Sequence, residues 1–252
     1  MYRKSAVSGM FYPASKDELK KTIEKYLKTA NGTKNKNIKA IIVPHAGYVY
    51  SGQIAAYGYS MLDDIYRKVI LLGNSHYVNF NGLSVFNGNG YESPFGSVDI
   101  FDLPFDFQNI PQAHLKEHTI EVQIPFLQTV LTDFKISPII MGKTDIIRTA
   151  NDLTKVIDDE TLIVVSTDMS HFLSYEKAVE TDTKTAKKIT NLSPEELNYD
   201  ELCGMNAVKT ILYVAKEKNW EIEQIIVANS GDVSGDKSRV VGYGTWVLKE
   251  KE

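Results

Sequence analysis

The chain has 252 residues, with 28 Lys and Arg against 32 Asp and Glu, and its net charge of -4 gives no overall attraction to nucleic acid or to an anionic membrane. Cys203 is the only cysteine, which excludes an internal disulfide or a multi-cysteine zinc ribbon and predicts a reducing compartment. No apolar stretch approaches the roughly 20 residues of a membrane span, and the N-terminus lacks the apolar core of a signal peptide. We therefore expect a cytoplasmic protein with no nucleic-acid or membrane partner.

Short apolar runs alternate with amphipathic segments along the chain. Ser15 and Glu18 form a capping-box pattern ahead of the first helical face. The short runs are rich in β-branched residues and predict strands buried on both faces, at 40–43, 69–72, 136–141, 162–165, 225–228 and 239–248. Between the strands, helices are predicted at 52–64, 117–131, 145–158, 174–191 and 204–218.

This alternation predicts one α/β domain over residues 1–252 with three layers: a mainly parallel central sheet and helices on both of its faces. Residues 82–100, with Asn87-Gly88-Asn89-Gly90 at their centre, have the composition of a hairpin insertion.

Histidines and aspartates follow the predicted strands directly. His45 follows the first strand, His76 the second, Asp168 and His171 the fourth, and Asp232 the fifth. Ligands of open α/β sheets bind beyond the carboxyl ends of the strands, so these side chains are expected to converge on one edge.

Two histidines and a carboxylate form the ligand set of non-haem Fe(II) oxygenases, and His45, His76 and Asp232 match that count. Asp168 and His171 would then serve as an orienting carboxylate and an acid/base group. The same ligand set also describes hydrolytic zinc sites, so the sequence leaves the metal open.

A second pattern lies at residues 114–118. His114, Glu117 and His118 fit the H-x-x-E-H arrangement of one zinc peptidase class. The apolar stripe that follows instead favours an ordinary packed helix beginning near Glu117. Both interpretations stay open at this point.

The chain resembles the Memo-like family over nearly its whole length. The motifs that carry the resemblance are AVSGMFYP at 6–13, VPHAGY at 43–48, GNSH at 73–76, SPFG at 93–96, EHTIE at 117–121, PFL at 125–127, DMSH at 168–171 and CG at 203–204. This family is similar to class III extradiol ring-cleaving dioxygenases, which hold non-haem iron on two histidines and one carboxylate.

The resemblance implies that His45 and His76 bind the metal, with Asp168 and His171 in the same pocket. Asp232 is paired with a position that is a cysteine in animal Memo proteins. His118 and Glu121 are expected in the pocket wall. Tyr48 and Asn74, which neighbour the two histidine ligands in sequence, are expected there too.

We therefore predict a mononuclear metal site, with Fe(II) favoured and Zn or Cu as alternatives, in a dioxygenase-like pocket that performs redox or oxygenase chemistry on a small molecule. The alternatives are a peptide- or protein-binding module that uses the same pocket, and a zinc-dependent hydrolase. The resemblance also implies a radical-SAM protein as a partner.

Overall fold

In the computed structural model, residues 1–105 and 107–251 are described. The strands are β1 (Tyr2–Arg3), β2 (Ile38–Val43), β3 (Lys68–Asn74), β4 (Leu83–Val85), β5 (Gly90–Ser93), β6 (Gly96–Asp99), β7 (Lys135–Met141), β8 (Thr161–Ser166), β9 (His171–Leu173), β10 (Glu221–Asn229) and β11 (Val240–Lys249). The helices are α1 (Lys16–Ala30), α2 (Tyr48–Tyr59), α3 (Pro111–Leu115), α4 (Ile124–Val130), α5 (Ile146–Thr154), α6 (Tyr175–Thr190), α7 (Met205–Glu217) and α8 (Ser230–Ser234).

The main sheet has the strand order β10-β11-β2-β8-β3-β7-β4, and β9 pairs with β11. Its four central strands, β2, β8, β3 and β7, are parallel. Strands β10, β11 and β4 are antiparallel to their neighbours. The predicted α/β architecture is confirmed, but the sheet is mixed. The reason lies in the connections, because only the short segment containing α8 joins β10 to β11, and a parallel pair needs a longer crossover.

Strand residues alternate between two hydrophobic clusters. Ile41 and Val43 of β2 pack on one face of the sheet with residues of α1, α2 and α4. Ala40 and Ile42 of the same strand pack on the other face with residues of α5, α6 and α7. This arrangement follows from the two-residue period of a strand and gives the predicted three layers.

The predicted hairpin insertion is present as β5 and β6, but its turn lies at Pro94-Phe95 rather than at Asn87–Gly90. The hairpin joins β1 in a separate three-stranded sheet. Gly90 is not part of the turn, and a Cβ atom there would collide with the Val98 carbonyl oxygen. The glycine therefore permits two backbones to approach closely.

The segment predicted as one helix over 117–131 is divided. A short 3-10 turn spans Glu121–Gln123, and α4 begins only at Ile124. The residues before this turn are irregular, and α3, which precedes them, has no counterpart among the predicted helices. In the two described ranges, no helix has both the length and the hydrophobicity needed to cross a bilayer.

The N-terminal segment is fastened to the body by a buried ion pair between Arg3 and Glu121, whose nearest N and O atoms are 2.7 Å apart. The Glu121 carboxylate also accepts hydrogen bonds from the backbone N–H groups of Ala6 and Val7 and from the hydroxyl of Tyr12. Glu121, expected in a pocket wall, is thus a structural anchor for residues 3–12. All of its hydrogen bonds replace contacts with water that burial removes.

We expect Arg3→Met to lower the free energy of unfolding by about 3–5 kcal/mol, because it leaves the Glu121 carboxylate buried without its charged partner. Urea unfolding followed by circular dichroism measures this change. Lys4→Met is the matched control: the Lys4 side chain is 81% exposed in its pair with Glu92, so its loss should cost about 1 kcal/mol or less. Equal effects of the two substitutions would contradict the role given to Arg3.

Candidate metal centre

Three loops after parallel strands meet at one edge of the main sheet. His45 follows β2, His76 follows β3 and Asp168 follows β8. A fourth segment joins them, because the Thr119 hydroxyl donates to the backbone carbonyl of Asn74 over 3.1 Å. This hydrogen bond brings His118, the residue before Thr119, to the same edge.

His45, His76 and His118 form a compact group whose metal-binding side-chain atoms all lie within 4.8 Å of one another. Their ring centroids are separated by 5.3 Å, 5.3 Å and 4.7 Å. His45 is buried, His118 is half-buried and His76 is exposed. The group therefore has a protected side and a side open to a ligand.

The hydrogen bonds of Ser166 determine which nitrogen of His45 carries the proton. The Ser166 hydroxyl donates to the Thr119 carbonyl over 2.6 Å, and its oxygen accepts from the Gln123 amide. Its remaining neighbour is His45 Nδ1 at 3.0 Å, which must therefore be the donor. His45 Nε2 is left with the lone pair that a metal requires.

Glu117 fixes the ring of His76 in the same way. His76 Nδ1 donates to Glu117 Oε1 over 3.0 Å, and the His76 backbone N–H donates to Oε2 over 2.6 Å. Burial alone would raise the pKa of Glu117, but these hydrogen bonds and the neighbouring histidines lower it to about 2. Glu117 is thus a carboxylate, and His76 Nε2 keeps its lone pair, which accepts from the Asn74 amide over 3.2 Å.

His118 packs against Phe11, with ring centroids 4.7 Å apart. Its Nδ1 is buried and lies 3.2 Å from Glu117 Oε1, without the alignment of a hydrogen bond. Burial, together with the nearby charge of His45, lowers the pKa of His118 to about 4, and burial and His76 lower that of His45 to about 3. Both rings are therefore neutral at pH 7, as metal ligands must be. These two neutral imidazoles, which converge with the oriented ring of His76, fit a divalent transition metal.

Asp168 and Cys203 lie behind His45. The His45 backbone N–H donates to Asp168 Oδ1 over 2.8 Å, and the Asp168 backbone N–H donates to Cys203 Sγ over 3.2 Å. Cys203 Sγ is also 3.2 Å from His45 Nε2. Burial raises the pKa of Asp168 and raises that of the Cys203 thiol to about 12. Cys203 was predicted to lie away from the site, but it contacts both His45 and Asp168.

His171 lies on β9, at the rim of this edge, and its side chain is exposed. Its Nδ1 donates to the Met169 carbonyl over 2.8 Å, so Nε2 faces away with a free lone pair. Asp168 was predicted to orient the His171 ring, but the Met169 carbonyl does so instead. Burial raises the pKa of Asp168, and a positive charge on His171 would act in the opposite direction.

The structure places Asp232 outside the histidine group. Its Oδ2 accepts from the Asn229 backbone N–H over 2.9 Å and completes a capping box at the start of α8. Its Oδ1 accepts from the Tyr175 hydroxyl over 2.7 Å. Both carboxylate oxygens are thus committed to local contacts, and His118 completes the group in its place.

The other candidates have separate environments. His114 is buried, with its two ring nitrogens at hydrogen-bond distance from Ser84 and Tyr91, so it lies apart from His118 and the peptidase pattern does not form a joint site. Tyr48 is buried and donates to the Val122 carbonyl, which makes it a packing residue rather than part of the pocket surface.

The roles of Glu117 and Ser166, which hold the imidazoles of His76 and His45, were not predicted from the sequence. Ser166 is the last residue of β8, and a polar residue at the end of a buried strand could have indicated its role in the site. Glu117 stands beside His118 in the sequence, but its reach to His76 depends on the folded arrangement of two distant segments.

We expect Glu117→Gln to weaken Zn(II) binding about 10–100-fold, because the substitution removes the negative charge that orients His76. Asp232→Asn should leave the affinity unchanged, since Asp232 caps α8. Competition with a chromogenic chelator measures both constants. A loss in Asp232→Asn equal to that in Glu117→Gln would show that the carboxylate of Asp232 reaches the ion.

Comparison with known proteins identifies the family of the chain. The family described as Memo-like protein matches residues 3–247. A MEMO1 family protein of Methanobrevibacter smithii is 35% identical, with 99% of this chain and 100% of the relative aligned. Relatives described in the same words in Aquifex aeolicus and Sulfurisphaera tokodaii are each 36% identical over 96% of this chain and cover 97% and 98% of their own lengths. The resemblance noted in the sequence is thereby confirmed, and the chain belongs to the Memo-like family.

Proposed function

We propose that this protein is a metal-dependent enzyme that binds one divalent transition metal on His45, His76 and His118 and acts on a small molecule. The observation that carries the proposal is the convergence of the three imidazoles, whose ligand atoms lie within 4.8 Å of one another. Hydrogen bonds from His45 to Ser166 and from His76 to Glu117 support it, because they leave Nε2 of each ring unprotonated and fix its direction.

The ligand set suits iron, zinc or copper, since imidazole binds all three. The preference for Fe(II) had two grounds, a ligand set with Asp232 as its carboxylate and the resemblance to iron-dependent dioxygenases, and a third histidine removes the first of them. Three histidines also form the ligand set of hydrating zinc sites. A zinc-dependent hydrolase is therefore the second candidate, and oxygenase chemistry with Fe(II) stays a prediction.

When bound, the ion would supply a Lewis acid and an open position for substrate. The chain would supply the proton transfer. The exposed His171 presents Nε2 as the accepting atom, and its contact with the Met169 carbonyl fixes the ring. Asp168 holds the His45 loop in place through the backbone N–H of His45. A cytoplasmic location and a radical-SAM partner stay predictions.

The metal alone is the first test. Purified protein, stripped with chelator and titrated anaerobically with Fe(II), Zn(II) or Cu(II), should bind one equivalent. His45→Ala and His118→Ala should each weaken binding at least about 100-fold, because each removes a ligand. Elemental analysis after gel filtration measures the stoichiometry.

His171→Ala is the matched control, since it removes a histidine of the same edge that is not a ligand, and it should keep the full equivalent of metal. No stoichiometric metal in the wild type, or binding that survives both ligand substitutions, would contradict the proposal and favour a peptide- or protein-binding module. Oxygen uptake by the Fe(II) form and hydrolysis by the Zn(II) form then separate the two enzyme candidates.

A further inference from the structure

A cavity of about 720 Å³ adjoins the candidate metal centre. It lies between the loop after β3, the end of β7 and the start of α7. Two of its wall residues contact the metal-centre histidines: the Asn74 amide is 3.2 Å from His76 Nε2, and Cys203 Sγ is 3.2 Å from His45 Nε2. The cavity therefore lies beside the Nε2 atoms of His45 and His76, from which it is separated by the side chains of Cys203 and Asn74.

In the described part of the chain, the side chains of the cavity wall carry positive charge but no negative charge. Lys143, directly after β7, lines it, and no Asp or Glu of residues 1–105 and 107–251 does. The chain as a whole carries more acidic than basic residues, so a wall with a cation and no carboxylate differs from the average surface. Such a wall favours a negatively charged ligand over a neutral or positive one.

The wall also carries hydrogen-bond donors, beside the amide oxygens of Asn74 and Asn206, which are buried without a hydrogen-bond partner among the described residues. The side chains of Asn79 and Asn81 carry N–H donors. The Ser75 oxygen already accepts from the Val78 N–H, which leaves its hydroxyl hydrogen free to donate. Asn206, in the first turn of α7, also lines the cavity, and the N-terminal end of a helix carries partial positive charge.

The remaining wall is apolar, with Phe80 and Met141 among its residues. Phe80 is held by the pairing of its carbonyl with the Lys143 N–H over 2.9 Å, so the apolar and the cationic parts of the wall are fixed to each other. A ligand that matches both has an apolar body and one anionic group.

From these contacts we infer that the substrate of the proposed enzyme is a small organic anion, bound with its charged group toward Lys143 and its opposite end toward the three histidines. This inference rests on the proposed function for the reaction, but the anion-binding cavity is a property of the chain itself. The positioning role belongs to Lys143, which would contact the substrate without touching the metal.

Benzoate and phenyl phosphate serve as anionic probes, and benzamide serves as the neutral probe of similar shape. We expect the wild type to bind at least one anion more tightly than benzamide, and Lys143→Met to weaken that anion about threefold to tenfold while benzamide is unaffected. Ligand-observed NMR titration at low salt measures the constants. A preference for benzoate over phenyl phosphate, or the reverse, identifies which anionic group the cavity selects.

Lys135→Met is the matched control. Lys135 is exposed at the opposite end of β7 from Lys143, so its substitution makes the same change in net charge away from the cavity. Unchanged anion binding in Lys143→Met, or an equal loss in Lys135→Met, would overturn the inference. Both lysines are exposed, so neither substitution should unfold the protein.

The titrations are run with and without one equivalent of Zn(II), which separates this inference from the proposed function. If Lys143-dependent anion binding occurs but no metal binds, the proposed enzyme fails and the anion site stands. If metal binds to the histidines but Lys143→Met leaves the anion affinity unchanged, the proposed function stands and the inference fails.

Discussion

One buried carboxylate, that of Glu117, holds the candidate metal centre together. It accepts N–H groups from the backbone of His76, His118 and Thr119 and from the ring of His76, at distances between 2.6 and 3.1 Å. Removing a charge from water is costly, and these four hydrogen bonds offset that cost. Because the donors belong to two segments about 40 residues apart in sequence, the same contacts that stabilise the charge also join the loop after β3 to the segment that carries His118.

The parts of the site that follow from strand direction were predictable from the sequence. Parallel strands end at one edge, so His45, His76 and Asp168 had to lie near one another once β2, β3 and β8 were recognised. The strands themselves were recognisable because they are buried on both faces and contain almost no polar residues. The antiparallel edge strands were less predictable, since the same apolar pattern is compatible with either direction.

The remaining site residues depend on contacts that no local pattern contains. Asn229 and Asp232 are three residues apart, which is the spacing of a capping box. Asp232 forms this cap at the start of α8 and does not join the histidine group. His118 lies in an irregular segment whose path is set by Glu117. Cys203 reaches His45 because Gly204 lets the start of α7 approach β8, where a Cβ atom would lie 2.8 Å from the Ser166 carbonyl oxygen. Each of these outcomes is decided by tertiary packing.

The N-terminal segment completes the restraint on the centre. The Arg3 guanidinium donates to the backbone carbonyls of His114 and Glu117 while it pairs with Glu121, so one side chain holds three points of the segment over 114–121. Phe11, farther along the same N-terminal segment, packs its ring on His118. An irregular segment has few hydrogen bonds of its own to fix its path, and these contacts replace them. The buried ion pair therefore supports the position of two groups at the centre, the Glu117 carboxylate and the His118 imidazole, although it touches neither of these side chains.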